Sequence, residues 1–192
     1  QDLEEINVVG YQASQNDLGL TQPSSTASRL GISLLDTPAS VSVISQEDIA
    51  AKNDFSTLSA TTRATGIAAS ASPGNGGSAL TARGFRGNNA VMTQYNGNRI
   101  FTASGTVSFP SDTWTIERIE VLRGANSVIN GVGSIGATVN YISKKPTFSA
   151  ISSETMLAYG SDNLQRYAIG SGGKINETAA FRVDAAHFTT DG

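Results

Sequence analysis

Residues 131–136 read Gly-Val-Gly-Ser-Ile-Gly, and the segment immediately C-terminal to them decides between two folds. The G-x-G-x-x-G spacing of Gly131, Gly133 and Gly136 is that of a dinucleotide-binding loop. Such a loop needs a strand before it and a helix after it, because the phosphates rest on the helix N-terminus. The C-terminal segment is ATVNYISKK, in which Val139 and Tyr141 alternate with Thr138 and Asn140. A period of two with β-branched and aromatic residues is strand chemistry. Without a helix start there is neither a dipole nor a row of free amides to hold a pyrophosphate. The glycines instead predict a tight strand-to-strand loop that packs close to a neighbour.

Composition narrows the remaining classes. The chain has 192 residues, room for one ordinary domain or for a small domain and a fragment. Twenty glycines and only 15% charged residues favour strands and turns over long surface helices. A net charge of −3 carries no basic footprint of nucleic-acid binding. There is no cysteine, so disulfides and thiolate sites are excluded. The one histidine, His187, leaves a transition metal short of nitrogen ligands. No resident cofactor is expected, and any iron must arrive already chelated. No apolar run reaches the ~18–20 residues of a spanning helix. The start, QDLEEINVV, has no positive n-region or apolar h-region and reads as a mature end or as an intracellular start. No nucleophile–base set stands out, so an enzyme is not expected.

Along the chain the texture falls into four zones. Residues 1–10 are acidic with a short β-branched patch, Ile6, Val8 and Val9; by composition alone residues 5–9 are a frayed tail. Residues 11–36, rich in Ser, Thr, Gln and Asn, read as a tether. Residues 37–149 predict a compact α+β unit. In it ASVSVIS alternates Val41 and Val43 with Ser40 and Ser42 as a half-buried strand. Ser45 and Asp48 have the spacing of a capping box that opens a short helix. DFSTLSATTRAT predicts a second helix capped by Asp54, with Phe55 and Leu58 inward. ALTARGF predicts a strand, Asn96-Gly97 a hairpin turn, and IERIEVL a strand alternating Ile119 and Val121 with Arg118 and Glu120. Residues 150–192 form three alternating segments separated by SDN and NE turns; in the third, Phe181, Val183 and Ala185 alternate with Arg182, Asp184 and Ala186. This pattern fits a transmembrane barrel strand and equally an antiparallel sheet on a soluble core.

The middle zone resembles the plug of TonB-dependent outer-membrane receptors, above all the ferric-siderophore transporters. The matching stretches are TPASVSVISQEDI (37–49), ALTARGF (79–85), YNGNRI (95–100) and WTIERIEVLRGANSVINGVGSIGATVNYISKKP (114–146). The last is the most specific, with its ERIEVL-R-G segment, glycine-rich loop and N-x-I-S-K-K-P ending in family order. Ala125-Asn126, Ile129-Asn130 and TRATGI depart from the usual pattern. The resemblance implies an α+β plug domain, a mixed β-sheet with short helices, followed by antiparallel β-strands of an incomplete transmembrane β-barrel. Three strands cannot close a sheet, so the sequence is expected to be the N-terminal part of a longer receptor.

The same resemblance implies the partners and sites. Residues 1–36 become a TonB box and periplasmic tether, with Glu5, Ile6, Asn7, Val8 and Val9 offered as an added strand to the TonB C-terminal domain. Arg83 and Arg123 correspond to plug arginines that pair with barrel-wall glutamates, and Glu117, Arg118 and Glu120 join the same latch or make salt bridges within the plug. Ligand contacts are assigned to three outward loops, through Asn75, Asn89, Phe101, Ser104 and Phe109; core or turn roles fit these residues as well. Aromatic faces and amides suit an oxygen-rich iron chelate. No histidine or tyrosine lies in these loops, which disfavours haem; cobalamin, a glycan or a non-transport interaction role remain as alternatives. The expected setting is the Gram-negative outer membrane, reached through the complete barrel, with the plug inside it and a periplasmic N-terminus.

Overall fold

The alternation seen in the sequence becomes a five-stranded mixed sheet. The computed structural model describes residues 24, 26–28, 33, 36, 39–71, 78–86, 90–100, 112–124 and 135–191. Strands β1 (Val41–Ser45), β4 (Val91–Tyr95), β5 (Asn98–Arg99), β6 (Ile116–Arg123) and β7 (Ala137–Ser143) stand in the order β1-β6-β7-β4-β5. β6 pairs antiparallel with both β1 and β7, whereas β4 runs parallel to β7. The β4–β5 hairpin turns on Asn96 and Gly97, at φ +50° and +80°, the left-handed pair that a two-residue hairpin requires.

One face of this sheet is an apolar core. Ile44, Ile119, Val121, Val139 and Tyr141 are buried there against Ile49 and Ala60 of the two helices and against Ile67 and Leu80 of a separate hairpin, β2 (Ile67–Ala71) and β3 (Ser78–Ala82). Each such aliphatic side chain contributes roughly 1.5–3 kcal/mol. The alternation in β1 marks the strand but not its inward side. Ile44 faces the core opposite Ile119, so Val41 and Val43, of opposite parity, lie on the other face.

Helix α1 (Gln46–Ala51) starts as the sequence requires: the Asp48 amide donates to Ser45 Oγ at 3.1 Å and the Ser45 amide donates to Asp48 Oδ2 at 3.2 Å. It stops before Asn53, whose φ is +52°. Helix α2 (Thr57–Thr61) is shorter than the sequence pattern predicts, and its cap is Ser56 rather than Asp54. Asp54 is drawn away by a bidentate pair with Arg63, 2.9 and 3.0 Å. The hydroxyls of Ser59, Thr61 and Thr62 donate back to carbonyls three or four residues earlier, a competition with the backbone ladder that keeps such helices short. Phe55 and Leu58 are half-buried, Leu58 against the core.

Gly131 and Gly133 lie outside the described residues, but Gly136 shows why a glycine is needed where β7 begins. A Cβ there would stand 2.8 Å from the carbonyl oxygen of Ala82 and 2.9 Å from that of Ala90, so only glycine lets β7 start between them. Strand β7 stands where a nucleotide-binding helix would have to begin. β3 ends earlier than ALTARGF suggests: Arg83 and Gly84 turn the chain at φ +52° and +84°, and Phe85 bonds back to Ala82.

Beyond residue 150 come β8 (Ser152–Tyr159), β9 (Gln165–Lys174) and β10 (Ala180–Thr189), an antiparallel meander in the order β10-β9-β8. Its apolar side chains face outward: Leu157 is 79% exposed and Val183 64%, with Tyr159, Tyr167 and Ile169 alongside. Its charges face the globule, Arg166 being only 2% exposed. That polarity is the reverse of a sheet lying on a soluble core. No helix among the described residues is long and apolar enough to cross a membrane.

Candidate functional site

The second face of the mixed sheet is polar and also covered. The register sets Glu120, Asn140, Gln94 and Arg99 side by side across β6, β7, β4 and β5. Glu120 is 0% exposed. Its Oε2 accepts from the hydroxyls of Ser24 and Thr26, both at 2.6 Å, and its Oε1 from Arg118 Nε at 2.9 Å. Asn140 Nδ2 donates to Thr26 Oγ1 at 2.9 Å, and Asn140 Oδ1 accepts from the Gly97 amide. A buried carboxylate and amide are costly unless fully bonded, and the short segment around Thr26 completes both.

Of the latch residues expected from the sequence, Glu117, Arg118 and Glu120 do come together, but with one another. Arg118 Nη1 lies 2.6 Å from Glu117 Oε1 and its Nε bonds Glu120. Arg123 is held at the sheet edge by donating to the Thr65 carbonyl at 2.7 Å and to the hydroxyls of Ser40 and Ser42. Arg83 is exposed and finds no side-chain partner among the described residues. Its Nη1 lies 3.6 Å from where a Cβ on Gly124 would be, so it stands next to the Arg123–Gly124 corner. Arg83 and Arg123 thus share one end of the sheet with no carboxylate bonded to either among the described residues. Glu5, Ile6, Asn7, Val8 and Val9, and Asn75, Asn89, Phe101, Ser104 and Phe109, lie outside the described residues.

A second set of contacts, which the sequence pattern did not single out, fastens the globule to the meander. Asp112 caps the 3-10 turn Thr113–Thr115 by accepting from the Trp114 amide at 2.7 Å, and also pairs with Arg166 of β9, whose Nε is 2.9 Å from Oδ2. Arg166 stacks 4.5 Å over the Phe55 ring, and Phe55 in turn meets Phe188 of β10 at 6.0 Å between ring centroids. Trp114 Nε1 donates to the Ile169 carbonyl at 3.0 Å. Lys144 sits 4.4 Å over the Trp114 ring and bonds Glu154 of β8 at 2.7 Å. Glu154 also pairs with Arg182, which binds Asp184 at 2.7 Å. Gly170 lies between Glu154 and Asp184 in the register; a Cβ there would come within 2.5 Å of Asp184 Oδ1. The sequence did hold a signal: charges at period two opposite a strand carrying glycines at 170 and 172 leave space for an ion cluster on one face. Among the described residues no three His, Asp or Glu side chains stand together as a metal site.

A mixed-sheet globule, joined by ion pairs to the charged inner face of strands whose apolar side chains point outward, is a plug seated against the wall of a transmembrane β-barrel. The model of the TonB-dependent receptor plug domain matches residues 33–138. The ferripyoverdine receptor of Pseudomonas aeruginosa is 33% identical over 166 residues, 82% of this chain and 19% of that protein. The vitamin B12 transporter BtuB of Vibrio vulnificus is 37% identical over 142 residues, 71% of this chain and 23% of that protein. The solved structure of P. aeruginosa FpvA bound to heterologous pyoverdines superposes with a TM-score of 0.75 at 30% identity, covering 91% of this chain and 24% of the other. The chain belongs to the TonB-dependent receptor family, and it spans about a fifth to a quarter of the length of these relatives.

Proposed function

We propose that this chain is the N-terminal plug portion of a TonB-dependent outer-membrane transporter that binds a ferric siderophore and gates its energy-coupled uptake into the periplasm. The reading rests above all on the reversed polarity of the meander, with Leu157 and Val183 outward and Arg166 buried against the plug. That pattern suits lipid outside and a polar, filled lumen within. Residues 5–9 act as the TonB box: an extended β-branched segment adds to a sheet edge of the TonB C-terminal domain through main-chain hydrogen bonds. Arg83 and Arg123 face barrel-wall carboxylates supplied by the rest of the receptor, since two guanidiniums in a lumen need partners. Iron enters only as cargo, wrapped in its chelator, and contacts the outward loops through Asn75, Asn89, Phe101, Ser104 and Phe109.

The test is made on the full receptor. Removing residues 4–9 abolishes uptake of the ferric siderophore while leaving its binding, read by quenching of protein fluorescence, unchanged. Uptake at the native rate after the deletion defeats the assignment of the box. Cobalamin is the second cargo to be tried, on the strength of the similarity to the vitamin B12 transporter; quenching by cobalamin and not by ferric chelates replaces the cargo and keeps the mechanism.

A further inference from the structure

The outward face of the meander holds a groove that the seam with the plug does not use. In the register of β8, β9 and β10, Leu157, Tyr167 and His187 stand side by side in one row, and Thr155, Ile169 and Ala185 in the next. Thr155 and Ala185 are short beside Leu157 and the two rings, and together the six side chains line a mostly apolar groove of about 480 Å³. At one end of it the Tyr167 and His187 rings are stacked, 6.4 Å between centroids and 13° between planes. The Tyr167 hydroxyl donates to Gln165 Oε1 at 3.0 Å, which leaves its own oxygen able to accept. Neither ring nitrogen of His187 has a hydrogen-bond partner among the described residues. The other outward neighbours of this ring, Leu157, Ile169 and Ala185, offer it none.

The geometry points to a discrete lipid site: an acyl chain of a membrane lipid lies in this groove, and an oxygen of its headgroup or ester linkage accepts a hydrogen bond from His187. The inference rests on this face being the membrane side of the barrel, and not on the cargo. Depth places the lipid. Tyr159 pairs with Gln165, and Ile175, ten residues further along β9, is exposed beyond the other end of the strand. Ten residues rise about 33 Å along a strand. At a tilt of about 45° that spans roughly 23 Å of membrane, close to the ~25 Å apolar band of such barrels. With Tyr159 at one margin of the band, the Tyr167–His187 row lies two residues further in, about 5 Å deeper, where headgroups give way to chains. An imidazole at that level is cut off from bulk water, and its unbonded N–H is costly until a lipid oxygen meets it. From the ring the groove runs inward past Ile169 and Ala185, the direction a chain takes from its ester. Further barrel strands extend the sheet from the edges of β8 and β10, so a groove centred on β9 stays on the outer surface.

The experiment is native mass spectrometry of the complete receptor in detergent, titrated with dioleoylphosphatidylglycerol. The native receptor is expected to hold one lipid more tightly than all others. A185F and T155L fill the groove from its two sides and lose this tight equivalent, whereas I175F, exposed at the far margin, keeps it. These side chains point away from the plug, so the variants fold; a gel shift between heated and unheated samples verifies the closed barrel in each. H187A weakens the tight lipid about fivefold or more, as the loss of one hydrogen bond would. H187Q, which keeps an N–H donor, recovers most of the affinity, and H187L, which fills similar space without one, does not. The inference is overturned if A185F and T155L bind the lipid as the native receptor does. It is equally overturned if they lose a receptor dimer and no lipid, because the groove is then a contact between copies. Equal affinity in H187Q and H187L removes His187 from the site and with it the proposed bond. Siderophore binding, measured on the same preparations, is expected to be unchanged throughout; its absence from the native receptor sinks the cargo assignment and leaves the lipid result to stand or fall alone.

Discussion

Asp112 of the plug and Arg166 of the meander grip each other across the seam at 2.9 Å, and the Phe55 ring closes over the same guanidinium at 4.5 Å. The sense of this pair is opposite to the one implied by the family resemblance, where arginines of the plug meet carboxylates of the wall. Lys144 and Glu154 restore that sense a short way off. D112A leaves a 2%-exposed guanidinium without its carboxylate and is expected to weaken the seam by about 3 kcal/mol, toward the low end for a buried pair because Asp112 is partly exposed. Hydrogen exchange of β9 and β10 in the full receptor checks it, with D112E retaining most of the native protection. Native protection in D112A would show that the packing around Trp114 suffices.

G136A is expected to destabilise the plug by about 1–3 kcal/mol, since the added methyl group meets two backbone carbonyls that belong to other parts of the fold. G160A is the matched control: its Cβ would meet only Leu164 at ordinary contact distance, 3.6 Å. Denaturant unfolding of the two variants separates the close approach from a general intolerance of alanine for glycine.

Tyr141 is the titratable group of the core. Burial pushes its phenol above the ordinary value, and hydrogen bonds with Thr61 and Thr57 only partly offset this. A raised folded-state value means that the stability contribution is complete below the unfolded value, about pH 10, and is lost as pH rises from there through the folded one. Y141F should cost about 1 kcal/mol near neutrality through the lost bond, and its stability should fall less than the native protein's above pH 10. Parallel alkaline curves for the two proteins would rule Tyr141 out as a source of the loss.

Replacing Arg83 and Arg123 together is expected to lower the force or denaturant needed to extract the plug from the complete barrel. Arg123 alone also anchors Thr65, Ser40 and Ser42 within the plug, so R83A by itself is the cleaner probe of the wall contact. If extraction of both variants matches the native receptor, these two residues are not part of the latch.

Much of this molecule is legible in short stretches. Asn96-Gly97 announces its own turn, Ser45 and Asp48 their capping box, and the period-two segments after residue 150 their meander, because each depends on neighbours a few positions away. Asp54 escapes a local reading for the complementary reason. Its sequence context offers a helix cap, but an arginine nine residues on offers a stronger, charge-assisted partner. The alternation of IERIEVL correctly marks Ile119 and Val121 as core, yet Glu120 is buried as deeply.

Local backbone preference and side-chain alternation were enough to set the strand periods, the turns, the close approach at Gly136 and the absence of a nucleotide-binding helix. They could not show that both faces of the sheet are covered, that Glu120 is completed by Ser24 and Thr26, or that Asp112, Trp114 and Lys144 form the seam; those came with the assembled fold. Distance along the chain accounts for the division. A carboxylate in an alternating strand reads as exposed until the register of the folded sheet shows which remote hydroxyls are delivered to it.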